Sequence, residues 1–139
     1  MEFVGQPLIG KKSTLINRLI YDHGNGRSIM ELNVKNEEKG TLVSVTGRMD
    51  AVSSPEFEKE LSRLIDENNV NFVIDLTELA YISSSGLRSV LVTAKKLKGN
   101  NGKILLASLQ AVVKDVFEIS GFSTIIPIYD SVEEAMAAL

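Results

Sequence analysis

Three consecutive serines, Ser83, Ser84 and Ser85, precede Gly86 in the stretch "DLTELAYISSSGL" at residues 75–87. They stand between an apolar run and a segment with helical spacing of apolar residues. Hydroxyl groups at the start of a helix accept hydrogen bonds from its first free backbone N–H groups. The same N–H groups stabilise an anion, so a hydroxyl there is also suited to carry a phosphate. The residues alone leave two interpretations open: helix caps, or a site that is modified and recognised by a partner.

The elements that must position these serines follow from the periodicity of apolar residues. From residue 30 onward the pattern predicts strands and helices in the order β-β-α-β-α-β-α-β-α, beginning with a hairpin of 30–36 and 40–47. This order predicts an α/β fold: a mixed, mostly parallel β-sheet with an N-terminal hairpin and about four helices. Partners of such sheets meet the loops at the carboxyl ends of the strands, and the serine turn is one of these loops.

The composition restricts the classes of function. The chain has 139 residues, 44% of them hydrophobic, and a formal net charge of −3, with no Cys. The acidic balance argues against a broad nucleic-acid surface. The apolar runs are shorter than the roughly 20 residues that a membrane helix needs. We therefore expect a soluble, cytoplasmic protein that contacts neither nucleic acid nor membrane directly.

Residues 1–29 differ in composition from the rest, and we expect them to be an appended leader, a tag or a fusion remnant, with one domain over 30–139. The segment "FVGQPLIGKKSTLINRLI" (3–20) resembles the phosphate-binding loop of small translation- and ribosome-associated GTPases. Gly5, Gly10 and Lys11 have the required spacing, but Lys12 occupies the position of the Ser or Thr that binds magnesium. A fragment of such a loop, or a short amphipathic helix, fits this segment better than a working nucleotide site.

From residue 30 to 139 the chain resembles the STAS domain of bacterial anti-sigma factor antagonists. The segment "VTGRMDAVSSPEFEKEL" is similar to the family's turn into its first helix, and "FVIDLTELAYISSSGLRSVL" to its signature. The later segments "GKILLASLQAVVKDVFEISGF" and "YDSVEEAMAAL" are similar to its fourth strand, third helix and closing helix. The resemblance implies the same fold that the periodicity predicts.

The resemblance also implies a modification site. In the family, the first serine of a Ser-Ser-Gly motif is phosphorylated by the anti-sigma factor, a serine kinase with a histidine-kinase-like ATPase domain. Alignment on Gly86 and Leu87 places that serine at Ser84, with Ser83 where the family usually has Asp. The implied contact residues for the kinase are Asp50, Ser84, Ser85, Gly86, Leu87 and Arg88.

The implied function is that of an anti-sigma factor antagonist. The unmodified protein binds the kinase and releases a sigma factor, and phosphorylation of Ser84 ends the binding; a phosphatase is a further implied partner. The alternative is a STAS module that serves as accessory subunit of a transporter or as scaffold in a stress-signalling complex. Two structural interpretations also stay open: the serines act only as caps, and Asp50 acts only as a turn residue. For Asp75 we expect the structural role.

Catalysis by the chain itself is not expected. A nucleophilic serine needs a base, and the only His is His23 in the expected leader. Ile82 occupies the first glycine position of a G-x-S-x-G elbow around Ser84. With no Cys, one His and scattered carboxylates, the sequence predicts neither a metal site nor a cofactor.

Overall fold

The computed structural model of the chain describes residues 15–22 and 27–139. Within these ranges the strands are β1 (Leu15–Asp22), β2 (Arg27–Asn36), β3 (Thr41–Met49), β4 (Asn71–Asp75), β5 (Leu79–Ile82), β6 (Lys103–Ala107) and β7 (Ile128–Tyr129). The α-helices are α1 (Ser54–Asp66), α2 (Ser84–Gly99), α3 (Ala111–Ile119) and α4 (Val132–Ala137), and a 3₁₀ turn covers Phe122–Thr124. None of the helices in the described ranges has the length and apolarity needed to cross a membrane.

The strands form one mixed sheet in the order β1-β2-β3-β4-β6-β7. The pairs β1–β2 and β2–β3 are antiparallel, and β3–β4, β4–β6 and β6–β7 are parallel. The carboxyl-terminal end of β3 leaves β4 and pairs in parallel with β5 instead. The predicted α/β fold, with its mixed, mostly parallel sheet and opening hairpin, is therefore confirmed.

Helices cover the sheet on both faces. On one face, residues of α1, α2 and α3 pack with the strands in the main apolar core; on the other, α4 forms a smaller cluster with β4 and β6. Strand β4 contributes to both, since Phe72 and Ile74 belong to the main core and Val73 to the smaller cluster. The apolar run 70–76 is thus a central strand covered from both sides, as its composition predicts.

The structure differs from two expectations at the N-terminal side, namely a short amphipathic helix within 3–20 and a first strand that begins at residue 30. Residues 15–22 are a strand, not an amphipathic helix, and β2 begins at Arg27 rather than at residue 30. Pairing with β1 satisfies the backbone groups along the outer edge of β2, an interaction between segments that the local apolar pattern does not reveal. The expected boundary between residues 29 and 30 therefore falls inside β2. The GTPase-like glycines and lysines, together with His23, lie outside the described residues.

Two further differences concern strands. Strand β5 was not predicted, because four residues inside a longer loop carry too little periodicity. The strand expected over 124–129 is reduced to Ile128–Tyr129, since Phe122–Thr124 forms the 3₁₀ turn and Pro127 has no N–H for a ladder.

Candidate functional site at the serine turn

The three serines have three different roles at the start of α2. Ser83 is the N-cap: its hydroxyl accepts a hydrogen bond from the Gly86 N–H at 3.2 Å. Ser84 is the first helical residue and is exposed, and no described residue hydrogen-bonds to its hydroxyl. Ser85 is half-buried. The capping interpretation therefore describes Ser83, and it leaves the Ser84 hydroxyl available at the positive end of a 16-residue helix.

The turn is fixed against the sheet by Gly86 and Leu87. A Cβ at Gly86 would lie 2.6 Å from Ile82 Cγ1 and 2.9 Å from the carbonyl oxygen of Met49, so any larger residue would have to displace these atoms. Leu87 is buried in the main core. Both were predicted as partner contacts, but in the free protein they are inside the domain. We infer that they position the turn, while the exposed members of the predicted set, Ser84 and Arg88, are available for contact.

Asp50 organises the neighbouring turn between β3 and α1. Its Oδ1 accepts hydrogen bonds from the N–H groups of Val52 at 3.0 Å and Ser53 at 3.1 Å, and its Oδ2 lies 3.8 Å from Arg48 Nε. Partial burial alone would raise the pKa of Asp50. Hydrogen bonds from Ser53 and Val52 and the positive charge of Arg48 together have a larger opposite effect, so the pKa of Asp50 lies below its usual value. Asp50 is therefore a turn residue, and it keeps a half-exposed anionic carboxylate.

Strand β5 brings the Asp50 turn and the serine turn together. Met49 pairs with Ile82 in the parallel ladder, and the Ser83 N–H donates to the Met49 carbonyl at 2.8 Å. Asp50 follows Met49 and Ser84 follows Ser83, so both residues leave the same carboxyl edge of the sheet. Ser85 and Arg88 line one open cavity together with Ala51, the residue after Asp50, so the two turns border the same region of the surface.

The structure adds three residues that sequence reasoning missed. Tyr81 is 38% exposed, and the guanidinium of Arg48 lies 4.3 Å from the centroid of its ring. Val52, at the tip of the Asp50 turn, is 52% exposed. Exposed aromatic and aliphatic side chains beside charged ones are typical of protein interfaces. The pairing of Arg48 with Tyr81 in the ladder brings them to this surface, and no local pattern predicts that pairing.

Asp75 has the structural role expected for it. Its carboxylate accepts hydrogen bonds from the Thr77 N–H at 3.1 Å, the Thr77 hydroxyl at 2.6 Å and the Ser44 hydroxyl at 3.2 Å. These bonds fix the chain where β4 ends. Among the described residues there is also no group of three or more His, Cys, Asp or Glu side chains that could hold a metal ion.

Comparisons with known proteins agree with this architecture. The family model of the STAS domain matches residues 31–135. The chain is 38% identical over 109 residues to BtrV of Bordetella bronchiseptica, whose name is that of an anti-sigma factor antagonist; the match covers 78% of this chain and 94% of BtrV.

Two solved structures have the same fold. An anti-sigma factor antagonist from Mycobacterium paratuberculosis gives a TM-score of 0.72 at 23% identity, covering 78% of this chain and 92% of that one. The phosphorylated form of the Bacillus cell fate determinant SpoIIAA gives a TM-score of 0.62 at 18% identity, and the match covers 77% of this chain and 97% of that one. The family model, the relative and the shared architecture lead to one assignment: this chain belongs to the STAS domain family, among the anti-sigma factor antagonists.

Proposed function

We propose that the protein binds an anti-sigma factor that is a serine kinase, thereby releasing a sigma factor, and that phosphorylation of Ser84 ends this binding. One observation carries the proposal. The Ser84 hydroxyl is exposed at the first position of α2, beside the Asp50 turn, while the capping that this helix needs is supplied by Ser83. The structural requirement and the modifiable group are thus on different residues.

Phosphorylation at Ser84 acts on binding rather than on folding. A phosphate adds about −1.5 to −2 charges at neutral pH. The dipole at the start of α2 favours an anion there, so the phosphorylated domain stays folded. A partner that covers Ser84 in the unmodified state would have to desolvate this charged group in the modified state. The phosphorylated protein therefore dissociates from the kinase.

The half-exposed carboxylate of Asp50 supports a partner with a complementary cation. Its lowered pKa keeps it charged at neutral pH. The exposed side chains of Tyr81 and Val52 supply apolar contact area in addition to this charge. The protein itself acts as a regulated binding partner and not as an enzyme, and a phosphatase that removes the phosphate from Ser84 completes the cycle.

Intact-mass measurement after incubation with the kinase and ATP tests the site. The kinase is first captured from the source cell and recognised by its histidine-kinase-like ATPase domain. We expect the wild type and Ser85→Ala to gain one phosphoryl group and Ser84→Ala to gain none. Equal modification of Ser84→Ala would contradict the assignment, and Ser83 is then the neighbouring acceptor to examine.

Affinity measurements test the switch. We expect Ser84→Asp to weaken kinase binding strongly and Ser84→Ala to preserve it. Unchanged kinase affinity of Ser84→Asp would refute the proposal. Capture of a transporter subunit or of a STAS scaffold, without any kinase of this type, would favour the alternative role as accessory subunit or scaffold.

A further inference from the structure

A concave region lies along α2 beyond its first two turns, from Leu91 to Lys98. It is a groove of about 690 Å³ at the outer side of β6. We call it the β6-edge groove. Its apolar floor is formed by β6 with Ile104 and Leu105, and Ala138 also lines it. Its walls include residues of α2 and of the segment 125–129, namely Leu91, Ala94, Ile125, Ile126, Pro127 and Tyr129.

Pro127 explains why this groove exists. Strand β7 pairs with β6 only at Leu106 and Ala107, and the Leu106 N–H donates to the Pro127 carbonyl at 2.9 Å. Because Pro127 has no N–H, the ladder cannot extend toward the start of β6. The first residues of β6 therefore lack a strand on their outer side, and the chain leaves the sheet with Ile125 61% exposed.

The charge at the groove is opposite in sign to the net charge of the chain. The groove is lined by Lys95, Lys98 and Lys103 and by no acidic residue. The chain as a whole has a formal net charge of −3. Lys95 and Lys98 form no ion pair with any residue that the structure describes. Their neighbour Lys96, outside the groove, is paired with Asp66 at 3.3 Å. The third lysine, Lys103, donates to the Ala138 carbonyl at 3.5 Å. Lys95 and Lys98 are thus the groove lysines available to an anionic ligand.

We propose that the β6-edge groove binds a fatty acid anion. The hydrocarbon chain lies along the apolar wall between α2 and Ile125, and the carboxylate is held by Lys95 and Lys98. The volume lies within the roughly 300–1,000 Å³ of small-molecule sites, which combine apolar walls with a few charged groups in this way. A single apolar chain fits an open groove of this form, and the lysines select the anionic head group.

Titration calorimetry of the full chain with decanoate, below its micelle concentration, tests the proposal. We expect saturable binding of one decanoate per chain, at least about tenfold tighter than decanol of the same chain length, because hydrogen bonds to charged groups are the stronger ones. Amide chemical shifts should change at Ile126 and Tyr129. Absence of saturable binding, equal affinity for decanol, or shift changes confined to the serine turn would each overturn the proposal.

Charge-reversal variants locate the carboxylate. Lys95→Glu and Lys98→Glu should each weaken decanoate binding roughly tenfold or more. Ile125→Ser, at an exposed position, should weaken decanoate and decanol alike. The matched control is Lys39→Glu, which makes the same charge change in the exposed turn between β2 and β3 and should leave the affinity unchanged. An equal loss in Lys39→Glu and Lys98→Glu would show that net charge alone governs binding, which contradicts a specific site.

Discussion

At the scale of single residues, the serine turn separates groups that hold the structure from groups that face solvent. Ser83 and Gly86 satisfy local requirements of capping and space. Ser84 lies between them in the sequence. Its side chain neither caps the helix nor packs against the sheet, and it is exposed. A modification at Ser84 therefore changes the surface of the protein without removing a contact on which the fold depends.

A substitution at Gly86 tests whether this residue is needed for packing of the serine turn. Gly86→Ala places a Cβ against Ile82 and the Met49 carbonyl, and overpacking of this kind costs about 1–3 kcal/mol. The matched control is Gly99→Ala at the other end of α2, where a Cβ would meet nothing within 4 Å. We expect chemical denaturation to show a clear loss of stability for Gly86→Ala and little change or a slight gain for Gly99→Ala. Similar values for both variants would contradict the packing argument.

The lowered pKa of Asp50 implies that the stability of the fold depends on pH. Its pKa is lowered in the folded protein, so its contribution to stability is present above the unfolded value of about 3.9 and is lost as the pH falls through the folded pKa. We expect the stability of the wild type to fall more steeply than that of Asp50→Asn between about pH 5 and pH 2. Thermal unfolding across this range measures the difference, and parallel curves for the two proteins would contradict it.

At the scale of elements, α2 joins two parts of the surface. Its first turn carries Ser84 beside the Asp50 turn, and its C-terminal half forms one wall of the β6-edge groove. Strand β5 fixes the first turn of α2, because it enters the ladder beside β3 immediately before the helix begins. The orientation of the proposed modification site therefore depends on a strand of only four residues.

The cap of α2 can be tested separately from the modification. Ser83→Ala removes the hydroxyl that accepts from Gly86, and we expect it to cost about 1 kcal/mol of stability. Ser83→Asp introduces the residue usual in the family, and it should be at least as stable as the wild type because Asp both caps and complements the helix dipole. Ser84→Ala should change stability little. Denaturation curves in which Ser84→Ala loses more stability than Ser83→Ala would refute these roles.

At the scale of the whole molecule, the sheet is complete only when β1 is included. Among residues 29–139, whose burial is described, the first buried core residue is Met30, and the STAS match begins at residue 31. We therefore keep the proposal that residues 30–139 contain the folding unit, and we regard β1 as an edge strand added to it. An added edge strand covers the backbone of β2 and protects that edge from pairing with another chain.

Deletion of residues 1–26 tests this proposal. The shortened chain should retain a single cooperative unfolding transition, because the described core residues all remain. Its exposed β2 edge should increase association, which gel filtration at rising concentration measures. The undeleted chain under the same conditions is the control. Loss of the cooperative transition would show that the first strand is part of the folding unit.

Local patterns in the sequence determined most of the fold. The alternation of apolar residues located β2 and β3, and helical stripes located α1 to α3, because burial of one face imposes a period on each segment. Continuous apolar runs located β4 and β6, which are covered on both faces. Ser131 and Glu134 also predicted the start of α4, where the Ser131 hydroxyl accepts from the Glu134 N–H at 3.1 Å. The "Ser-Ser-Gly" motif located the turn that forms the candidate site.

Contacts between distant segments set which strands lie side by side. The pairing of β1 with β2, the insertion of β5 beside β3 and the contact of Arg48 with Tyr81 depend on hydrogen bonds and packing between distant parts of the chain. A short strand or an edge strand satisfies its backbone only through such a partner, so its own residues carry little periodic signal. The sequence therefore determined the chemistry of the serine turn, and tertiary pairing decided which surface surrounds it.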